Sequence, residues 1–391
     1  MRILGIIAEY NPMHAGHAAH IQKAKAQACA DAVVVCLTPC VTQRGSFATL
    51  PVDTRVRMAL CSGADAVIAF PALYACRPAQ AYAMAGVSLL SGIGCDCLGF
   101  GAECGDLPLL RETALAWNET FSSCHADVQR RMMDGTSFAA ASLSILSQQD
   151  VRYAPVLSRP NNILALSYLQ AMEAIHSSME PVLIHRPGDY HADAGSADPS
   201  ATALRSACHR GDWPAVRAMQ TPVLFSLLQE AVLHGHLLST DESSLLILGL
   251  LRSLSADAFS DLPDLSEGIE HRLQKELRNA LSMDELLSRC VTRRYPASRF
   301  RRMCMQAALG ITENKVDTQL LPGTALLLGY RKESRNVLGQ LGNSRISFTS
   351  RAADMEDAVR TVETRAWSLH GLLCHDASQV FLSHSVISVG P

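Results

Sequence analysis

The sequence predicts an α/β fold: a doubly wound, Rossmann-like domain followed by a mainly α-helical C-terminal domain. Three observations carry this. Short apolar runs at 3–8, 32–37, 66–70 and 97–100 alternate with helical stretches near 54–62 and 79–91. Polar and glycine residues cluster just after those runs, where parallel sheets bind ligands. Beyond about residue 213 the pattern turns Leu-rich and helical, notably at 223–254 and 273–287. A chain of 391 residues is long for one core, so two domains are expected, 1–212 and 213–391, with the boundary near 208–220.

The first unit is the most informative. The run Ile3-Leu4-Gly5-Ile6-Ile7-Ala8 reads as a strand, Glu9-Tyr10-Asn11-Pro12 as the turn after it, and 16–30 as the following helix. His14-Ala15-Gly16-His17 places two imidazoles at the mouth of that strand-to-helix turn. Free N–H groups at the helix start favour phosphate oxygens, and Gly16, lacking a side chain, would let a nucleotide approach the backbone. The histidines could then donate to charge building on an α-phosphate during attack. A His-x-Gly-His alone is also what two ordinary histidines near a helix start look like.

After the fourth strand the pattern is helical and interrupted from 107 to 149, with a loop at 150–159. Asn161-Asn162 starts a helix running to about 175, and 181–184 reads as another strand. The polar stretch 188–200 reads as a mobile loop, and Ser200 caps a helix containing Thr202 and Arg205. Such a first turn could hold β- and γ-phosphates, although helix capping alone would explain the serine. Near the end, 324–330 and 345–348 read as short strands and 352–372 as an amphipathic helix.

Composition narrows the function classes. Net charge is −3, from 34 basic and 37 acidic side chains, so any nucleic-acid binding must come from a local patch. The N-terminal run is too short for a signal peptide and lacks its basic start, and no segment approaches the roughly 20 apolar residues of a membrane span. A soluble, cytoplasmic protein is expected. Thirteen cysteines without regular spacing suggest reduced thiols. Cys95, Cys97 and Cys104 lack a second cysteine pair or nearby histidines and are better read as buried apolar residues than as a metal site, and no metal-ligating residues are expected.

A local basic patch is present. Arg289, Arg293, Arg294, Arg299, Arg301 and Arg302 place six guanidiniums within 14 residues. They are candidate phosphate-binding residues for a nucleic acid, with Tyr295 able to stack on a base and Phe300 and Met303 burying the other helix face. A solvated helix face paired with acids elsewhere is the plain alternative.

The segment from Gly5 to His17, reading Gly-Ile-Ile-Ala-Glu-Tyr-Asn-Pro-Met-His-Ala-Gly-His, resembles the opening of the bacterial tRNA(Met) cytidine acetate ligases, in the HIGH-type nucleotidyltransferase superfamily. Later segments are similar in the same order. They are 33–45, ending Gln43-Arg44-Gly45; Leu98-Gly99-Phe100-Gly101-Ala102-Glu103; Pro160-Asn161-Asn162-Ile163-Leu164; Ile184-His185-Arg186; Tyr190-His191; and Ser200-Ala201-Thr202-Ala203-Leu204-Arg205. Thr292-Arg293-Arg294-Tyr295 and Leu328-Gly329-Tyr330 extend the resemblance into the last third. The family usually has Ser-Gly-Asn-Phe before its Gln-Arg-Gly and an Asp-Lys pair soon after. This chain has Thr38-Pro39-Cys40-Val41 and Pro51-Val52 there, near the presumed acceptor side.

The resemblance implies a HIGH-superfamily nucleotidyltransferase domain at 1–212. It implies that ATP, with Mg2+ neutralising its phosphates, activates acetate to acetyl-adenylate. The acetyl group then passes to N4 of the wobble cytidine of elongator tRNA(Met). His14 and His17 would be catalytic. ATP would be bound by Ile7, Ala8, Glu9, Tyr10, Asn11, Gly16, His20, Gly101, Asn161 or Asn162, Arg186, Ser200, Thr202 and Arg205. Two other readings stay open: an adenylyltransferase acting on a phosphorylated small molecule, and a protein that binds ATP and tRNA without the chemistry.

Overall fold

Among the described residues eight strands build one sheet: β1 (Ile3–Ala8), β2 (Ala32–Leu37), β3 (Ala66–Ala69), β4 (Cys97–Ala102), β5 (Glu180–His185), β6 (Thr324–Arg331), β7 (Ser347–Thr349) and β8 (Ile387–Val389). The computed structural model describes residues 1–123, 130, 138–186, 200–265 and 268–390. The expected loop at 188–200 lies, apart from Ser200, outside the described residues, as does Tyr190-His191.

The strand order is β5-β4-β1-β2-β3-β6-β7, with β8 also paired to β6. β1 runs parallel to β2 from Ile3↔Ala32 to Ala8↔Leu37, and parallel to β4 on its other side. The chain winds outward from β1 through β2 and β3, then returns to lay β4 and β5 on the opposite flank. That reversal makes the gap between β1 and β4 the topological switch point, where open α/β sheets bind ligands. The doubly wound class read from the sequence is the class observed. Central strands are buried along their length because helices cover both faces, which is why they read as unbroken apolar runs. Cys36, Cys95 and Cys97 are buried among them.

The middle of the chain, 201–318, is helical among its described residues. The last part is not a continuation of that helical unit. β6 pairs antiparallel with β3, so the sheet begun at residue 3 is completed more than 300 residues later. The helix Asp357–Leu373 then packs on Ala72–Ala75 after β3. There the buried Glu363 carboxylate accepts from the Ala72 N–H at 2.5 Å and from Trp367 Nε1 at 3.1 Å. The strand signal at 324–330 was legible, but its partner was not, because pairing is decided by packing and not by the strand's own periodicity.

Candidate functional site

β1 delivers its carboxyl end to a turn that closes on the helix Ala15–Gln27, with His14 as its N-cap. His14 Nδ1 accepts from the Gly16 N–H at 3.1 Å, and His17 Nδ1 accepts from the His14 N–H at 3.3 Å. This is a capping box built from two histidines in place of the usual hydroxyl and carboxylate. Because both Nδ1 atoms accept, both rings carry their proton on Nε2. The rings stack at 3.7 Å, and Tyr10 lies 5.1 Å from His17. Burial, with the nearby Arg186 charge, pushes His14 down to about 3. Burial, His14 and Arg186 hold His17 well below the usual histidine range. His20, one turn on, is pushed to about 4 by burial and Arg186. All three are neutral at pH 7, so His14 and His17 present N–H donors without a fixed charge.

Two expectations at this turn need correction. The first-turn amides are not free for phosphate: Ala15 N–H donates to the Met219 carbonyl at 3.0 Å, and those of Gly16 and His17 are taken by His14. Gly16 itself is not on the cavity wall; a Cβ there would meet the His14 ring at 3.0 Å. Its bareness makes room for a histidine rather than for a nucleotide, because the capping box folds the ring back over the helix start.

A second device sits under the turn. Arg55, fully buried on the helix Val52–Cys61, donates to the carbonyls of Tyr10 at 3.2 Å and Thr38 at 2.8 Å, and to those of Glu9 and Pro39. One guanidinium thus joins the ends of β1 and β2. Burial pulls it down to about 10, opposed by the neighbouring Cys40 thiol, the Glu9 carboxylate and the Cys374 thiol. Above it, Glu9 accepts from the Gln43 N–H at 2.6 Å, and Asn11 accepts from both the N–H and hydroxyl of Thr49 at 2.7 and 2.6 Å. Burial raises the Glu9 carboxyl, opposed first by the Gln43 N–H and then by Arg44, Arg55 and Arg205. The departures at 38–41 and 51–52 do not line the cavity; they lie in its support, with Cys40 buried and the Pro39 carbonyl held by Arg55.

These loops form one wall of a cavity of about 990 Å3 over the switch point, at the upper end of the usual range for small-molecule sites. Ile7, Ala8, Glu9, Tyr10, Asn11, His14, His17 and His20 line it. So do Gly101, Asn161, Arg186, Ser200, Thr202 and Arg205. A Cβ on Gly101 would lie 2.5 Å from Arg186 Cδ, so the glycine lets that arginine cross the end of β4. Among the described residues the Arg186 guanidinium has no protein partner. Arg205 donates to the Asn11 carbonyl at 2.5 Å and to Thr202 at 3.0 Å, and Ser200 caps its helix through the Ala203 N–H at 3.1 Å.

Asn161 and Asn162 divide. Asn161 lines the cavity and donates to Glu103 at 2.8 Å. Asn162 is buried and spends both ends of its amide inside the protein, accepting from the Cys104 N–H at 2.9 Å and donating to the Val156 carbonyl at 3.0 Å. It does not reach this cavity.

The arginine cluster also divides. Arg289 pairs with Glu285 at 2.5 Å, Arg299 donates to the Asp264 carbonyl at 2.8 Å, and the Arg294 and Arg299 guanidiniums lie over the Tyr295 ring, 5.5 and 5.1 Å from its centre. Arg293 is exposed. Only Arg301 and Arg302 reach the cavity. Sequence reasoning missed Arg55, whose role depends on carbonyls that no residue pattern encodes. It also missed Asp241 and Ser244 on the helix Thr240–Ser253, Ser282 and Asp284 at the start of the helix Met283–Cys290, and Ser298, all of which line the cavity.

Comparison with known proteins agrees with this geometry. The family model described as HIGH Nucleotidyl Transferase matches residues 1–381. The chain is 31% identical to the tRNA(Met) cytidine acetate ligase of Syntrophomonas wolfei, over 92% of this chain and 89% of the relative. It is 32% identical to that of Latilactobacillus sakei, over 87% and 85% respectively. A crystal structure of Thermotoga maritima TmcAL bound with alpha-thio ATP superposes with a TM-score of 0.90 over the whole of both chains, at 21% identity, and thus shares the fold. With its cavity at the switch point, its neutral histidine pair and these matches along nearly its whole length, the chain belongs to the tRNA(Met) cytidine acetate ligase family of the HIGH nucleotidyltransferases.

Proposed function

We propose that this protein is an ATP-dependent ligase that acetylates N4 of the wobble cytidine of elongator tRNA(Met). The observation that carries the reading is the pair of neutral Nε2–H donors at the switch point, set beside cavity-lining arginines. In the first step an acetate oxygen attacks the α-phosphorus of ATP, a P–O bond forms, and the bond to the β-phosphate oxygen breaks, releasing pyrophosphate. His14 and His17 donate to the oxygens on which charge builds. Arg186, Arg205, Ser200 and Thr202 hold the phosphates, and Asn161 and Gly101 border the nucleoside. In the second step the cytidine N4 attacks the acetyl carbon of the adenylate; the N–C bond forms, AMP leaves with the C–O electron pair, and N4 loses a proton. No covalent enzyme intermediate is required.

Mg2+ fits this reading as the counter-ion that ATP brings. Among the described residues no three His, Cys, Asp or Glu side chains group to hold a metal ion, and Arg186 and Arg205 provide positive charge on the protein side. No helix of the described residues is long and apolar enough to cross a membrane, and a cytoplasmic place beside tRNA and ATP is part of the proposal. Acetate-dependent exchange of labelled pyrophosphate into ATP, followed by transfer of labelled acetate to tRNA(Met), tests it. Exchange that requires a different carboxylate would reject acetate. An adenylylated phosphorylated acceptor would support the adenylyltransferase reading, and binding without any exchange would support a non-catalytic protein.

A further inference from the structure

The helix Ala297–Leu309 buries Phe300, Met303 and Cys304 and turns Ser298, Arg301 and Arg302 to the cavity, at i, i+3 and i+4 spacing. It is fixed directly to the sheet's loops. Gly45, at φ +78°, closes the Gln43-Arg44-Gly45 turn so tightly that a Cβ would lie 2.6 Å from the Arg302 nitrogen and 2.7 Å from the Arg301 carbonyl. Gln306 donates to the Cys76 carbonyl at 2.8 Å, and Arg77, whose carbonyl accepts from Gln43 at 2.8 Å, pairs with Asp264 at 2.9 Å.

On this rigid seat Arg301 and Arg302 make no side-chain hydrogen bond or ion pair among the described residues, unlike Arg289 and Arg299 of the same cluster. Arg302 is half-buried, and burial lowers its pKa against the opposing pull of Cys76 and the Asp264 carboxylate. A desolvated guanidinium without a partner is costly, and an anion held by two N–H groups relieves that cost. The phosphate-holding groups of the histidine side, Arg186 and Arg205, stand on different elements, at the ends of β5 and in the helix Ala201–Arg210. The second step requires the acceptor base to enter the cavity while the adenylate occupies it, so the flanking phosphates of that nucleotide need their own seat.

Resting on the proposed function, we infer that Arg301 and Arg302 form a phosphodiester site, separate from that for the ATP phosphates, which seats the backbone of the single-stranded tRNA loop whose base enters the cavity. Asp241 and Asp284 also line the cavity, and their negative charge disfavours a second polyphosphate in it.

The test compares the unmodified protein with Arg301→Gln, Arg302→Gln and the double variant, using filter binding of tRNA(Met) against salt alongside acetate-dependent pyrophosphate exchange. The double variant is expected to weaken tRNA binding by tenfold or more and to flatten the log–log salt slope by about 1 to 2 units. The KM for ATP in exchange should stay within about twofold, and Arg301→Lys with Arg302→Lys should restore most of the tRNA affinity. An unchanged salt slope, or a rise in the ATP KM that matches the loss of tRNA binding, would overturn the site. Absence of exchange in the unmodified protein would overturn the acetyl-adenylate reading instead, while the salt slope would still decide the role of the two arginines.

Discussion

Arg55 Nε lies 3.2 Å from the carbonyl oxygen of Tyr10, and the same guanidinium bonds the Thr38 carbonyl at 2.8 Å. A fully buried cation therefore holds the ends of two neighbouring strands through peptide oxygens, with no carboxylate in hydrogen-bond reach among the described residues. Arg55→Ala should leave these carbonyls buried and unpaired, at about 1–3 kcal/mol each before relaxation, and so cost at least about 3 kcal/mol in denaturant unfolding. Arg55→Lys keeps the charge but not the fork. It should fold, yet lose about tenfold in kcat of pyrophosphate exchange because the Glu9–Asn11 turn shifts. Wild-type stability in the alanine variant would show that the carbonyl clamp carries little.

For the histidine pair the expected effect is on rate. His17→Ala removes one donor and half of the capping box, so stability should fall by about 1 kcal/mol while kcat falls about 10²-fold and the KM for ATP changes little. Because both imidazoles are neutral well above their shifted pKa values, the exchange rate should not lose activity to their titration between pH 6 and 8. A steep rise in rate across a pKa near 6.5 that disappears in His17→Ala would contradict this protonation state.

Asn161→Ala and Asn162→Ala should separate cleanly. The first removes a cavity contact and should raise the KM for ATP with little change in melting temperature. The second leaves the Cys104 N–H and Val156 carbonyl without their partner and should lower stability by about 2 kcal/mol. Reversed phenotypes would mean that the nucleotide reaches the inner asparagine.

Stability should fall on mild acidification. His14, His20 and His370 have folded pKa values depressed to about 3, 4 and 4, chiefly by burial, below the ordinary value near 6.5. Their contribution is complete above pH 6.5 and is lost as pH falls toward 4, since the unfolded chain takes up the protons first. Each histidine adds about 1.4 kcal/mol per pH unit within that window. Glu363, raised by burial to about 7, acts in the opposite sense between its unfolded value and pH 7, as do Glu9 and Asp53, also raised by burial; the depressed histidines, which include His17 and His384, outnumber them. Urea unfolding at pH 5 and pH 7 should therefore show a lower midpoint at pH 5; equal midpoints would mean that the histidines are solvated.

The sequence by itself determined the strands, the two-histidine turn and most of the cavity's histidine side. Parallel strands covered on both faces must be apolar throughout, and a helix start must be capped, so both leave local marks at 3–8 and at His14 to His17. Tertiary structure alone decided that β6 closes the sheet beside β3, since a strand's periodicity does not name its neighbour. It decided that Gly16 shelters an imidazole, that Asn161 and Asn162 take different environments one residue apart, and that two of six arginines turn inward. Arg55 is the clearest case: its partners are backbone oxygens, which every sequence contains, and only the fold determines which of them a buried guanidinium can reach.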